Sequence, residues 1–318
     1  MNFRNISSRL NSILPLLRAL GSRDESEFQL RYRRVLFNSL RPYASQITCE
    51  RDGILWSVAT EDPGISKKLF IKGRYQAEEV DQLIRFLKVR GSISTQRNVV
   101  IDVGANIGVP SIPIARLTGL RVIAIEPLPE AFELLLTNVA QNGLIGLITC
   151  VQAAVLDRAG FSEMVTKGTV YGESEISLEG GDQGFGKSSL LDRKSSVKVE
   201  RLSSILAAEG IGPERVAFVW SDTQGCEADI IESGSLCWEA GAPLFAEVWP
   251  RGLEKHGGVG RFASLVKKHF SCMIPKNDLL QRGEMADLQP IARIDQLIGL
   301  LEMSSSAATD HTDILLIP

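Results

Sequence analysis

The chain has 318 residues, a formal net charge of −3, 44% hydrophobic and 23% charged residues. This is enough to bury one α/β domain and carry an added subdomain. A pI near 5.8 gives no basic footprint for nucleic acid, and the five cysteines, Cys49, Cys150, Cys226, Cys237 and Cys272, show no Cys-x-x-Cys spacing. Reduced, mostly buried thiols are therefore expected, with no disulfide and no metal site. The apolar run Ile13-Leu-Pro-Leu-Leu17 is too short to cross a membrane and lacks a cleavage signal, so the reading is cytoplasmic, with no membrane span.

Residues 1–50 read as a helical region whose arginines make a solvated face. Residues 51–97 read as a β-hairpin and a helix leading into the core. The hairpin strands are placed at 54–58 and 68–71, around the turn Glu61-Asp-Pro-Gly64. The helix is marked by Val80, Leu83, Ile84 and Leu87 at helical spacing.

The main domain is expected over 98–318 and opens with Asn98-Val-Val-Ile-Asp102-Val-Gly104-Ala105-Asn106-Ile-Gly108. An apolar strand running into a glycine turn, then a helix, then Val122-Ile-Ala-Ile-Glu126-Pro127 is the form of a nucleotide-binding βαβ unit. Glycines let the backbone turn sharply and approach a ligand, and the helix start offers unpaired N–H groups. Glu126 stands at the second strand tip, where a carboxylate accepts ribose hydroxyls. The spacing Asp102-x-Gly104-x-x-x-Gly108 is not the Gly-x-Gly-x-x-Gly of dinucleotide binding, which argues against NAD.

Further along, Pro113 is expected to kink the first helix, and Phe132, Leu135, Leu136 and Val139 mark the buried face of the next. A third strand is placed at 148–155. The Gly- and Ser-rich stretch 160–197 reads as a flexible insertion with short strand pieces. Strand and helix alternate again through 216–220, 244–248, 262–268, 270–274 and 314–317, giving a doubly wound sheet. Ser221-Asp222-Thr-Gln224-Gly225-Cys-Glu227 follows the fourth strand, so Asp222 emerges beside the crevice of Gly104 and Glu126. Glu227 is also favoured at a helix start by the dipole alone.

Asp102-x-Gly104-x-x-x-Gly108 with Glu126-Pro127 resembles the first two motifs of Rossmann-like S-adenosylmethionine-dependent methyltransferases. Together with Gly73-x-Tyr75, Asp222-x-x-Gly225-x-Glu227, Glu247 and the closing Asp313-Ile-Leu-Leu-Ile-Pro318, the chain resembles the FkbM family of methyltransferases over about residues 50–318. The resemblance implies a Rossmann-like seven-stranded sheet with its last strand antiparallel, preceded by a helical and β-hairpin extension. It implies O-methylation of a small-molecule hydroxyl, as on a polyketide or sugar, with S-adenosyl-L-methionine as cofactor; a homo-oligomer is a separate expectation. The cofactor residues it implies are Tyr75, Asp102, Gly104, Ala105, Asn106, Gly108, Glu126, Pro127, Ala153 and Asp222. Asp222, Glu227 and His256, the last read as exposed in a glycine-flanked loop after the fifth strand, are the candidate bases, and two carboxylates are too few to argue for magnesium. Gln76, Trp220, Gln224 and Ser203 depart from the family pattern. A non-catalytic S-adenosylmethionine-binding module and a nucleotide-dependent oxidoreductase are the alternatives.

Overall fold

The computed structural model describes residues 25–73, 75–166, 168–177, 193–304 and 310–318. The Ile13–Leu17 run and the glycine-rich stretch 179–186 lie outside them. The chain divides into two compact units, one of residues 1–75 with 169–172 and one of the remainder.

In the first unit, helix α1 (Glu25–Leu40) is followed by strands β1 (Gln46–Arg51) and β2 (Ile54–Ala59) and helix α2 (Ile65–Lys72). The hairpin is β1 with β2, closed by Asp52 and Gly53 at φ 52° and 72°, the two-residue turn whose twist suits antiparallel strands. The run expected as a strand at 68–71 is helical instead. Asp62 accepts the N–H groups of Gly64 and Ser66 at 2.8 and 2.9 Å. The expected turn is thus a helix start, satisfied by a side chain. Gly73 ends α2 in the left-handed conformation, its N–H bonded to Leu69. Phe37 of α1 packs on Phe70 of α2 at 5.4 Å between ring centres.

The second unit opens with α3 (Ala77–Val89), whose Val80, Leu83, Ile84 and Leu87 are buried as the spacing predicts. Then come β3 (Val99–Val103), α4 (Ser111–Thr118), β4 (Arg121–Ile125), α5 (Pro129–Gln141) and β5 (Ile148–Val151). Pro113 does not kink α4, because the helix starts only at Ser111 and Pro113 falls in its first turn, where N–H groups have no helical partner. On α5 the buried face is Ala131, Leu134, Leu135, Asn138 and Val139, while Leu136 is exposed.

The expected third strand breaks after Val151. Short β6 (Ala154–Val155) leaves the main sheet and joins β7 (Gly160–Thr166), β8 (Ser174–Ser177) and β9 (Arg193–Glu200) in a separate four-stranded sheet. The described part of the 160–197 stretch, read as flexible, is built on an antiparallel pairing of β7 with β8 and β9. The alternation in β9 is real, with Val197 and Val199 buried on either side of exposed Lys198, but the intervening polar stretch hides it.

Next come α6 (Leu202–Ala208), β10 (Val216–Ser221), α7 (Glu227–Ser233), α8 (Ser235–Glu239), β11 (Leu244–Val248), α9 (Pro250–Leu253) and α10 (Gly258–His269). The chain closes with β12 (Cys272–Pro275), α11 (Lys276–Arg282), β13 (Gln289–Pro290), α12 (Ile294–Glu302) and β14 (Thr312–Ile317). The main sheet runs β13-β12-β14-β11-β10-β3-β4-β5. Setting aside the two-residue edge strand β13, it has the seven expected strands, with β14 antiparallel to β11. Its interior strands are buried on both faces, as in β3, β10 and β11, which is why they read as continuous apolar runs. One core joins Ile101, Val219 and Ala246 of the sheet to Ile230, Trp238, Phe262 and Ile298 of α7, α8, α10 and α12. Of the cysteines, Cys226 and Cys237 are buried, while Cys49, Cys150 and Cys272 are only partly so, and all five are free.

Candidate active site

The order of strands reverses between β3 and β10: β4 and β5 extend one way from β3, while β10 and β11 extend the other. Loops leaving the carboxyl ends of these two strands separate and leave a crevice. At its floor Gly104, Asn106 and Gly108 have φ of 84°, 50° and 96°, the left-handed conformation that turns the backbone sharply off the strand. Gly104 is required by space as well as conformation, since an added Cβ would sit 2.1 Å from the Asp222 carbonyl oxygen. A Cβ on Gly108 would meet Ile112 and Leu135 at 3.0 and 3.1 Å. The Gly104 and Ala105 N–H groups both donate to Ile125 O at 3.0 Å, tying the turn to β4.

Glu126, at the tip of β4, accepts the N–H groups of Asn106 and Leu128, both at 2.8 Å and on different carboxylate oxygens. Each oxygen keeps a further lone pair for a ligand hydroxyl. Burial pushes this carboxyl up to about 7, against the pull of those two N–H bonds. Asp102, wholly buried in β3, accepts the Ser111 hydroxyl on one oxygen, while its Oδ1 has no partner among the described residues. Burial also raises it to about 7. Pro127 follows Glu126 into α5, and Ala153 is buried between β5 and β6. Tyr75 belongs to the first unit, its ring 4.8 Å from the Lys68 ammonium.

Across the crevice, Asp222 follows β10 and is one of the partly accessible members of a polar chain. Gln76 Nε2 donates to Asp222 Oδ2 at 3.1 Å, and Gln224 Nε2 lies 3.5 Å from Asp222 Oδ1 and donates to Glu247 Oε2 at 3.1 Å. Glu247 is paired in register with Asp313 of β14, and Asp313 accepts the Lys276 ammonium. Gln76 and Gln224, both at positive φ, are thus the amide links of this chain. The departures from the family pattern at these two positions replace carboxylates by donors that neighbouring carboxylates can use. Trp220 takes no part, packing against Phe245 at 4.5 Å.

Burial and the neighbouring Asp222, Glu227 and Asp313 charges push Glu247 up to about 10. Asp222 is also raised, by burial first and then by Asp313, with Gln76, Gln224 and Lys276 opposing.

The other two candidate bases sit elsewhere. Glu227 is fully buried at the start of α7, where Oε1 accepts the Thr223 N–H and hydroxyl at 3.1 and 2.7 Å. It braces the 222–225 turn. His256, expected in an exposed loop, is 2% exposed in a 3₁₀ turn, with its Nδ1 3.3 Å from Asp229 and its ring beside Cys226. A lone histidine among glycines gave no sign of this, because its partners lie 27 and 30 positions earlier. Glu247, Asp313 and Lys276 were not among the expected site residues. The available signal was a charged residue interrupting an apolar strand near its end, as Glu247 and Asp313 both do.

The residues present fit S-adenosylmethionine. Carboxylates line both sides of the crevice with Lys276 as their cation, which favours a sulfonium and an ammonium and opposes a pyrophosphate. Asp102 Oδ1 is a buried acceptor left unfilled, and Glu126 has spare lone pairs beside the glycine turn. A switch-point crevice of this composition, on a seven-stranded sheet with this antiparallel β14, defines an S-adenosylmethionine-dependent methyltransferase.

The family follows from comparison: residues 102–257 match the Methyltransferase FkbM domain, and this part of the chain is an FkbM methyltransferase domain. Methyltransferase sdnD of Sordaria araneosa is 25% identical over 179 residues, which span 48% of this chain and 68% of that protein. Among solved structures, M. jannaschii TYW2 in complex with AdoMet is 11% identical with a TM-score of 0.41, covering 86% of this chain and 85% of that one. The O-methyltransferase TomG of Streptomyces achromogenes, solved with SAM, is 14% identical with a TM-score of 0.39, covering 76% and 79%. Among the described residues, no helix is long and apolar enough to cross a membrane.

Proposed function

We propose that the protein methylates a hydroxyl oxygen of a small molecule, with Asp222 as the base. The observation that carries this reading is the placement of Asp222: partly accessible, bonded by Gln76, and with its carbonyl against the Gly104 turn. When bound, S-adenosylmethionine supplies an electrophilic methyl group. The Gly104–Gly108 turn and Glu126 would hold it, and the carboxylates around Asp102 and Asp222 would favour its positive charge. A neutral alcohol must lose its proton as it attacks, and Asp222 takes that proton. Gln76 and Gln224 fix the Asp222 carboxylate by donating to it, and Glu227 holds the following turn through Thr223. Much of the remaining rate comes from alignment of the acceptor oxygen. A net charge of −3 favours a small acceptor over a nucleic acid.

The test is incubation with methyl-deuterated S-adenosylmethionine and a panel of hydroxylated metabolites, with transfer RNA as one arm, read by mass spectrometry. Label on an oxygen of a small molecule is expected, with Asp222→Asn slower by about 10²–10⁴-fold at saturating cofactor. Label only on RNA would overturn the acceptor class. Cofactor binding with no transfer to any arm would favour a binding module.

A further inference from the structure

Away from the crevice, Cys226, Asp229 and His256 bring a thiol, a carboxylate and an imidazole together in the interior, their ligand atoms all within 4.8 Å of one another. We propose that these three residues form a binding site for a divalent cation of zinc-like chemistry, a structural site distinct from the methyl-transfer centre.

The donor set is the one a borderline cation selects, with soft sulfur, imidazole nitrogen and a carboxylate oxygen. A tetrahedral ion bound at about 2.3 Å by sulfur and about 2.0–2.1 Å by nitrogen and oxygen sets its donors roughly 3.3–3.6 Å apart. Here His256 Nδ1 is 3.3 Å from Asp229 Oδ2 and 3.8 Å from Cys226 Sγ. Cys226 Sγ is also 3.6 Å from His256 Nε2, so a side-chain rotation that brings the sulfur round to the Nδ1 side completes the set, leaving a fourth position for water.

The surroundings hold these donors in place. Cys226 caps α7 and Asp229 lies three residues on, so helix geometry presents both on one side. Arg261 Nη1 donates to Asp229 Oδ1 at 2.9 Å and to the His256 carbonyl at 3.0 Å. One guanidinium therefore orients two of the three residues and leaves Asp229 Oδ2 to the cluster. Arg261 is itself fixed by Glu232 and Asp157, at 2.6 and 2.9 Å. The Arg261 chain passes where a side chain on Gly257 would be, since a Cβ there would meet its Cδ at 2.7 Å. Outer contacts of this kind tune metal ligands.

Burial, with Glu227, Asp229 and Glu175 nearby, pushes the Cys226 thiol well up. Loading forms a sulfur–metal bond as the S–H bond breaks, and the proton leaves to solvent, so binding strengthens with pH. The thiolate and the Asp229 carboxylate then balance the dication. The cation would pin the start of α7, two residues after Gln224, and so steady the turn that carries Asp222.

The probe is Co²⁺ added to metal-stripped, full-length protein, with Zn²⁺ as the displacing ion and the thiolate-to-cobalt charge-transfer absorption as readout. One equivalent of Co²⁺ giving that absorption, its loss in Cys226→Ser and His256→Gln, and its survival in Cys237→Ser are the expected results. Arg261→Gln is expected to weaken binding by about 10–100-fold. No thiolate absorption in the parent overturns the site. So does full retention of that absorption in either variant that folds, as judged by its thermal midpoint. None of these readouts depends on methyl transfer, so failure here is separable from failure of the proposed reaction.

Discussion

Gly104→Ala tests how closely the two halves of the crevice are built against each other. The new methyl carbon would lie 2.1 Å from the Asp222 carbonyl oxygen and 3.0 Å from its carbonyl carbon, and both atoms are backbone. They cannot swing aside as a side chain can. The Asp222 N–H donates to Val103 O at 3.0 Å, so relief requires moving the ends of β3 and β10 apart. A left-handed φ of 84° on a residue with a Cβ costs about 1–2 kcal/mol. Overpacking against backbone adds roughly 1–3 kcal/mol, for a total of about 2–5 kcal/mol. Gly119→Ala is the control: its φ is 68° but nothing lies within 4 Å of the added carbon, so only the conformational cost of about 1–2 kcal/mol is expected. Urea unfolding gives the stabilities, and calorimetric titration gives S-adenosylmethionine affinity. Gly104→Ala should lose the larger stability and at least about tenfold in affinity, equivalent to about 1.4 kcal/mol. Equal stability losses in the two variants, with affinity intact in Gly104→Ala, would refute this account of the turn.

Glu126→Gln puts an amide N–H₂ against one of two backbone donors, Asn106 or Leu128, and should weaken S-adenosylmethionine binding by about 1–3 kcal/mol in the same titration; unchanged affinity would remove Glu126 from the cofactor site. Stability should also fall with pH through the raised carboxyls. Glu247 is about 10 when folded against an ordinary 4.5, so the folded state retains a proton that the unfolded chain releases. Its contribution is complete below about 4.5 and lost as pH rises towards about 10. The thermal midpoint of Glu247→Gln should therefore gain on that of the parent as pH rises through this window; a constant difference would count against it. Lys276→Met removes the cation that holds Asp222 and Glu247 down, and should move the acidic limb of the pH–rate profile upwards, with Lys276→Arg restoring it. A profile that only falls in height, without moving, would leave Lys276 a purely structural role.

The sheet was legible because its strands are buried on both faces and therefore stand out as uninterrupted β-branched runs, with the glycine turn and Glu126 in fixed relation to the first two. The short apolar run at 68–71 was not legible, since four apolar-rich residues suit a strand or a helix equally. The deciding contact is the Asp62 side chain on the Gly64 and Ser66 N–H groups. The β9 strand was hidden because its partner β7 lies some thirty residues earlier. In the site, Asp222 could be placed from strand order alone. Its partners Gln76, Glu247, Asp313 and Lys276 lie at the start of α3, in β11, in β14 and at the start of α11, and only Glu247 and Asp313 meet through sheet register. His256 shows the converse: composition of its loop suggested exposure, whereas packing of α7 and α10 buries it beside Asp229 and Cys226.

The most direct measurement of the central claim is a paired calorimetric titration of the purified protein with S-adenosylmethionine and with NAD. The carboxylate-lined crevice predicts saturable S-adenosylmethionine binding that is weakened in Gly104→Ala and in Glu126→Gln, with no NAD binding. NAD binding without S-adenosylmethionine binding would contradict it.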